Sequence, residues 1–145
     1  MSEACEFPRQ NATSEEIREI LRTARTVAIV GLSDKPHRPS HGVAAYLQQH
    51  GYRIIPVNPN VQEVLGEKAW PSLSDVPEPV DVVDIFRAPD AVPGIVEEAI
   101  RKGAKVIWMQ EGIVHNEAAD RARAAGLKVV MNKCMLKEHR AAGLG

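Results

Sequence analysis

The sequence predicts an α/β domain built on a parallel sheet, from three observations: short continuous apolar runs rich in β-branched residues, helical stretches between them, and a Gly closing three of those stretches. The first helix is predicted from Ser14, where Ser-Glu-Glu-Ile places acids at the positive helix start and Ile17, Ile20 and Leu21 fall on one face. Strand one is Thr26 to Val30 (TVAIV), ending at Gly31; a run with no alternation suits a strand covered on both faces. His41 to His50 reads as the next helix, with Gly51 at its left-handed end, and Tyr52 to Val57 (YRIIPV) as strand two. Residues 58 to 79 are turn-rich, with a short helical turn around Ser72 to Val76. Val80 to Phe86 (VDVVDIF) is strand three. A helix from Ala91 to Lys102 closes on Gly103, Ala104 to Met109 is strand four, a helix from Asn116 to Ala125 closes on Gly126, and Leu127 to Met131 is strand five.

This rhythm gives right-handed crossovers and helices on both faces of the sheet. The predicted architecture is a Rossmann-like three-layer α/β/α domain with a five-stranded parallel sheet in the order 3-2-1-4-5. Residues 1–13 form an N-terminal extension, 14–140 the domain and 141–145 a tail.

Composition narrows the function. With 145 residues, one domain and one site are expected. The balance of 18 Lys+Arg against 19 Asp+Glu is not the basic excess of a nucleic-acid-coating protein. Aromatic residues are 4% of the chain, too few for stacking platforms. Cys5 and Cys134 supply neither a disulfide framework nor a four-Cys zinc site, and no apolar run approaches membrane-spanning length; a reducing cytoplasm is the expected location.

In such a sheet the ligand crevice lies beyond the carboxyl ends of the strands. The most informative segment there is Gly31-Leu32-Ser33-Asp34-Lys35-Pro36-His37-Arg38-Pro39-Ser40, with a Gly for the tight turn, hydroxyls, two cations and a helix start, which together suit a phosphate or pyrophosphate. It is no Walker A loop, because Gly-Lys-Ser/Thr is missing, and no G-x-G-x-x-G, because Ser33 and Asp34 intervene. Strand two ends in Asn58-Pro59-Asn60 without the acid that holds an NAD ribose, so dehydrogenase chemistry is disfavoured.

Taken in order, VAIVGLSDKPHRPSHGVAAYLQQHGYRIIPVNPN, LGEKAWPSLSDVPEPVDVVDIFRAP, GAKVIWMQEGI and AGLKVVMNKC resemble the stand-alone CoA-binding proteins, whose domain is similar to the CoA-binding domain of the succinyl-CoA synthetase α subunit. The resemblance spans roughly residues 14 to 140 and implies coenzyme A or acyl-CoA as ligand. It places Gly31, Ser33, Asp34 and Lys35 around the CoA phosphates, with Arg38 and Ser40 typical of the stand-alone version. Asn58 and Pro59 match the turn facing the nucleotide end, where Val61 replaces a synthetase Lys; Lys35 or Arg38 then substitutes at the 3′-phosphate. Phe86, Arg87 and Pro89 match the strand-three turn, whose apolar wall packs on adenine or the pantetheine arm. Met109, Gln110, Glu111 and Gly112 match the segment bordering the bound CoA. The phosphorylated histidine of the synthetases belongs to a second domain that this sequence lacks, which favours a non-catalytic binding, carrier or regulatory role.

Two rivals remain at this point: a small enzyme using NAD(P) or acting on an acyl-CoA with Glu111 or His115 as acid–base, and a CoA-responsive subunit of a ligase-like complex; a homodimer is also open. His37 and His41 have a metal-ligand spacing but flank Pro39, and read as neighbours of the anion loop. Cys134 lies at the ligand end, either reactive toward CoA or a small semi-buried residue. Asp81 and Asp84 read as solvated sheet-edge acids, and Trp70 and Trp108 as packing residues.

Overall fold

The computed structural model describes residues 6 to 144. Helix α1 (Ser14–Thr23) leads into β1 (Thr26–Val30), followed by α2 (Pro39–Gln49) and β2 (Arg53–Val57). A hairpin of β3 (Glu63–Val64) and β4 (Glu67–Lys68) and a 3-10 turn (Leu73–Asp75) precede β5 (Val82–Ile85). Then come α3 (Val92–Lys102), β6 (Val106–Met109), α4 (Asn116–Ala124), β7 (Lys128–Val130) and α5 (Met135–Ala142).

The sheet is five-stranded, parallel throughout, and sandwiched between helical layers, the Rossmann-like class anticipated above. Its order corrects the expectation. β5, the third long strand, pairs with β1 and not with β2, giving β2-β1-β5-β6-β7, or 2-1-3-4-5 in chain order of the long strands. Pro56 gives the physical reason. It has no N–H to donate, so β2 suits an edge and not the interior position that 3-2-1-4-5 assigned to it. Its carbonyl faces outward and accepts from Trp70 N at 3.0 Å, while Asn58 N donates to Trp70 O at 2.9 Å. That single bridge, beside the small hairpin, covers the edge.

Alternation along the strands sends side chains to two cores. On one face Ala28, Ile55, Val83, Ile85 and Ile107 pack under α3, α4 and the 3-10 turn. On the other, Val27, Ile29, Ile54, Val82 and Trp108 pack under α1, α2 and α5. The connection from β2 back across β1 is anchored by Leu73, Val76 and Val80, all in the first core.

Local caps differ from expectation at two helices. Thr13, not Ser14, caps α1: its hydroxyl accepts from Glu16 N at 3.1 Å while Glu16 Oε1 accepts from Thr13 N at 2.8 Å, a capping box. Helix α2 starts two residues before His41, because Pro39 occupies the first turn, where no N–H is needed, and initiates the helix. Gly103 ends α3 at φ +80°, as its place after the apolar face predicted.

Residues before α1 are fastened down. The Asn11 amide pairs with both backbone groups of Met131, at 2.9 Å each, extending the ladder beyond β7, and Glu6 Oε1 accepts from Asn116 N at 2.7 Å at the start of α4. The edge beside β7 is thereby covered.

Candidate functional site

The crossover from β1 to β2 runs over one face and that from β5 to β6 over the other, so the sheet's switch point lies between the ends of β1 and β5. Gly31 sits there at φ +91°, its N–H donating to Val57 O at 2.8 Å. A Cβ at this position would lie 2.5 Å from Phe86 O and 3.1 Å from Arg87 Cδ. The loops after β1 and β5 approach so closely that only glycine fits.

The loop after Gly31 is organised by its own hydroxyls. Ser40 is buried, and its Oγ accepts from Ser33 N at 3.0 Å; Ser33 Oγ accepts from Lys35 N at 3.1 Å. Asn58 Nδ2 donates to Leu32 O at 3.0 Å, tying the loop to the end of β2. These bonds turn Asp34, Lys35 and Arg38 outward to solvent, in front of a helix whose first amides have no side-chain cap. His37 is exposed in this loop and His41 half-buried in the first turn of α2.

Two clefts open on either side of Arg87. One, of about 430 Å³, runs between Gly31, Asn58, Pro59, Ser72 and Glu98 on the α3 side. The other, of about 480 Å³, is walled by Pro39, Phe86, Gln110, Glu111, Gly112 and Cys134 on the α2–α5 side. Each is the size of a small-molecule site. The structure therefore gathers nearly all the residues singled out from sequence along one edge. Met109 is an exception: it is fully buried in the α3–α4 core, and only its carbonyl, accepting from Lys133 N at 3.3 Å, faces this edge.

Electrostatics separate this edge from its surroundings. Among the described residues, Lys35, Arg38, Arg87 and Lys133 have no ion pair and no side-chain hydrogen bond. All four follow strand ends β1, β5 and β7. Glu111, by contrast, holds Lys137 Nζ at 3.0 and 3.1 Å, and this hydrogen bond raises the Lys137 pKa above its ordinary value. His115 caps α4, its Nδ1 accepting from Ala118 N at 3.1 Å. Gln110 is buried, with Oε1 accepting from Met135 N at 3.2 Å, and Asn132 Oδ1 accepts from Gly112 N at 2.7 Å. These polar groups shape the second cleft more than they face it. Asn132, at φ +59°, and Lys133 also belong to this rim, and the Asn at a strand end was the available signal for the turn.

The acid pair separates. Asp81 lies at the opposite, strand-start edge. Burial opposes its ionisation, but the N–H groups of Thr26 and Arg25, at 3.0 and 2.9 Å, and Lys105 outweigh that and hold its pKa below the ordinary value. Asp84 contradicts the solvated reading outright. It is 0% exposed in β5, between Ile29 and Trp108, and neither carboxylate oxygen has a hydrogen-bond partner. Burial pushes its pKa well above the ordinary value. Trp108 is fully buried with Nε1 donating to Lys133 O at 2.8 Å, and Trp70 is half-buried beneath Lys68.

Fold and edge together define a Rossmann-like α/β domain with four open cations around its switch point. The chain belongs to the CoA binding domain family, whose model matches residues 25–140. It is 43% identical over 130 residues to the uncharacterized protein YneT of Bacillus subtilis, covering 90% of this chain and 96% of that one. It is 35% identical over 83 residues to the ADP-forming acetate–CoA ligase II of Archaeoglobus fulgidus, covering 56% of this chain but 12% of the ligase. Among solved structures, a hypothetical protein from Pyrococcus horikoshii superposes with a TM-score of 0.90 at 46% identity, over 97% of this chain and 98% of that one.

Proposed function

We propose that this protein binds coenzyme A or an acyl-CoA across the carboxyl-end edge of its sheet and serves as a binding, carrier or regulatory protein. The observation that carries the reading is the set of cations without partners, Lys35, Arg38, Arg87 and Lys133, gathered at the switch-point edge of a chain that belongs to the CoA binding domain family. Elsewhere seven cations form ion pairs, and the other open ones, Arg101 and Lys128, stand singly; four open cations gathered at one edge suit an anion.

In this reading the pyrophosphate rests on the Gly31 to Ser40 loop. Lys35 and Arg38 supply charge, Gly31 lets the chain turn without a side chain in the way, and Ser33 and Ser40 keep the loop in shape. Asn58 and Pro59 border the cleft of about 430 Å³ that would take the nucleotide end, and Arg87, which lines it, would offer the 3′-phosphate contact in place of the Lys35 or Arg38 expected from sequence. Phe86, Gln110, Glu111 and Gly112 wall the second cleft, which suits the pantetheine arm. An enzyme with Glu111 or His115 as acid–base fits less well, because the first is held by Lys137 and the second spends its Nδ1 lone pair on capping α4.

Isothermal titration with CoA, dephospho-CoA, NAD and ATP tests the proposal. Saturable 1:1 binding of CoA, tighter than NAD, is expected. Heat with NAD and none with CoA overturns it.

A further inference from the structure

A second positively charged recess lies away from this edge, where the end of α1, the α2–β2 turn and α5 meet. It has a volume of about 200 Å³, and its walls carry Arg22, Arg25, His50 and His139 with no acidic side chain among the described lining residues. His139 is 3% exposed, and its Nδ1 pairs with Tyr46 Oη at 2.8 Å. When Tyr46 donates in that bond, His139 Nε2 carries the ring proton and is a donor on the recess side. His50 stacks on Tyr46 with ring centroids 4.0 Å apart, and its Nδ1 pairs with Tyr46 O at 2.8 Å, which fixes that ring as well. Arg25 Nη1 donates to the carbonyls of Arg22 and Ala24, at 3.4 and 3.2 Å, so its guanidinium is held at the end of α1 with other N–H groups unspent. His139 offers Nε2–H and Arg25 its unspent N–H groups, while His50, whose Nδ1–H is used on the Tyr46 carbonyl, becomes a donor at Nε2 only when protonated.

We propose that this recess is a second anion site, taking a phosphate dianion, free or as a terminal phosphomonoester. Its size admits one such group and not a nucleotide, and its donors arrive from separate directions, which suits a tetrahedral oxyanion. Binding is coupled to proton uptake. Burial, then the neighbouring His50, holds the His139 pKa below its ordinary value, and an anion in the recess reverses that bias. The charged and titratable groups facing the recess are Arg22, with its partner Glu19, and Arg25 from α1 and its end, His50 and Tyr46 from α2, Tyr52 before β2, and His139 and Arg140 from α5. The second pKa of a phosphomonoester, about 6, falls in the same range as the His139 titration, so the mark of the coupling is a raised His139 midpoint in phosphate and not a steady rise in affinity toward low pH.

The test follows the imidazole proton resonances of His50 and His139 by NMR during titration with inorganic phosphate and, separately, phosphoserine. Saturable shifts of both rings, a raised His139 titration midpoint in phosphate, and affinity at least fivefold weaker in Arg25→Gln but unchanged in Lys35→Ala are the expected results. Saturation by phosphoserine alone assigns the site to an ester and also supports the proposal. Rings unmoved by either anion, or shifts equally reduced in Lys35→Ala, overturn it.

Discussion

The two ends of the parallel sheet treat charge in opposite ways. At the strand starts, Arg53 is clamped by Glu67 and Glu78, and Lys105 lies 3.7 Å from Asp81, whose carboxylate also takes two backbone N–H groups. At the strand ends, Lys35, Arg38, Arg87 and Lys133 wait without partners beside a glycine that brings two loops into contact. Lys128, at the start of β7, has no ion pair either, so the contrast lies in the four open cations gathered together at the strand ends. The difference teaches where function sits more reliably than net charge does, since a chain with a formal charge of −1 still presents a cationic edge.

The sharpest break in this comparison is Gly31→Val. It puts a β-branched side chain at φ +91° and against Phe86 O. A loss of about 3 kcal/mol in urea denaturation and loss of measurable CoA binding by calorimetry are expected. Next is the pair Lys35→Ala with Arg38→Ala, which weakens CoA binding on the order of tenfold per cation while stability changes by about 0.5 kcal/mol at most. Lys105→Ala at the other end reverses the pattern, with affinity unchanged and a stability loss below about 1 kcal/mol in the same denaturation assay.

Asp84 adds a smaller, pH-dependent effect within the central strand. Its folded pKa is raised, so the folded state retains a proton that the unfolded state releases. Its contribution to stability is fully present below the ordinary carboxylate pKa and is lost as pH rises from there toward the raised value. Asp84→Val removes both this loss and the orphaned carboxyl. Denaturation at pH 7 should show a gain of about 1–3 kcal/mol, and a smaller gain at pH 4.

Much of the fold was legible because its signals are local. Continuous β-branched runs marked the long strands, and Gly103 marked the end of α3 at a position the backbone makes left-handed. The strand order was harder, since it depends on which strand's edge lacks a partner. Pro56 carried that information and was passed over. Helix α5 carries a weak signal because Met135 to Ala142 is short and half polar, and it acquires its place by packing Met135 and His139 against the α1–α2 layer. At the site, a resemblance in residue order located the loops, but burial decided roles: Met109 turned inward, and Ser40 became a brace. Asp84 shows the limit most plainly, for a lone Asp between valines and isoleucine gives no sign in sequence of whether water reaches it.

The central claim is that the open cations mark the ligand edge, and mapping backbone amide NMR shifts on addition of CoA tests it most directly. The account predicts saturable shifts concentrated in residues 31–40, 58–60, 86–89 and 110–113, with the strand-start groups around Arg53 and Lys105 unmoved. Shifts centred on the strand starts, or none at all, would contradict it.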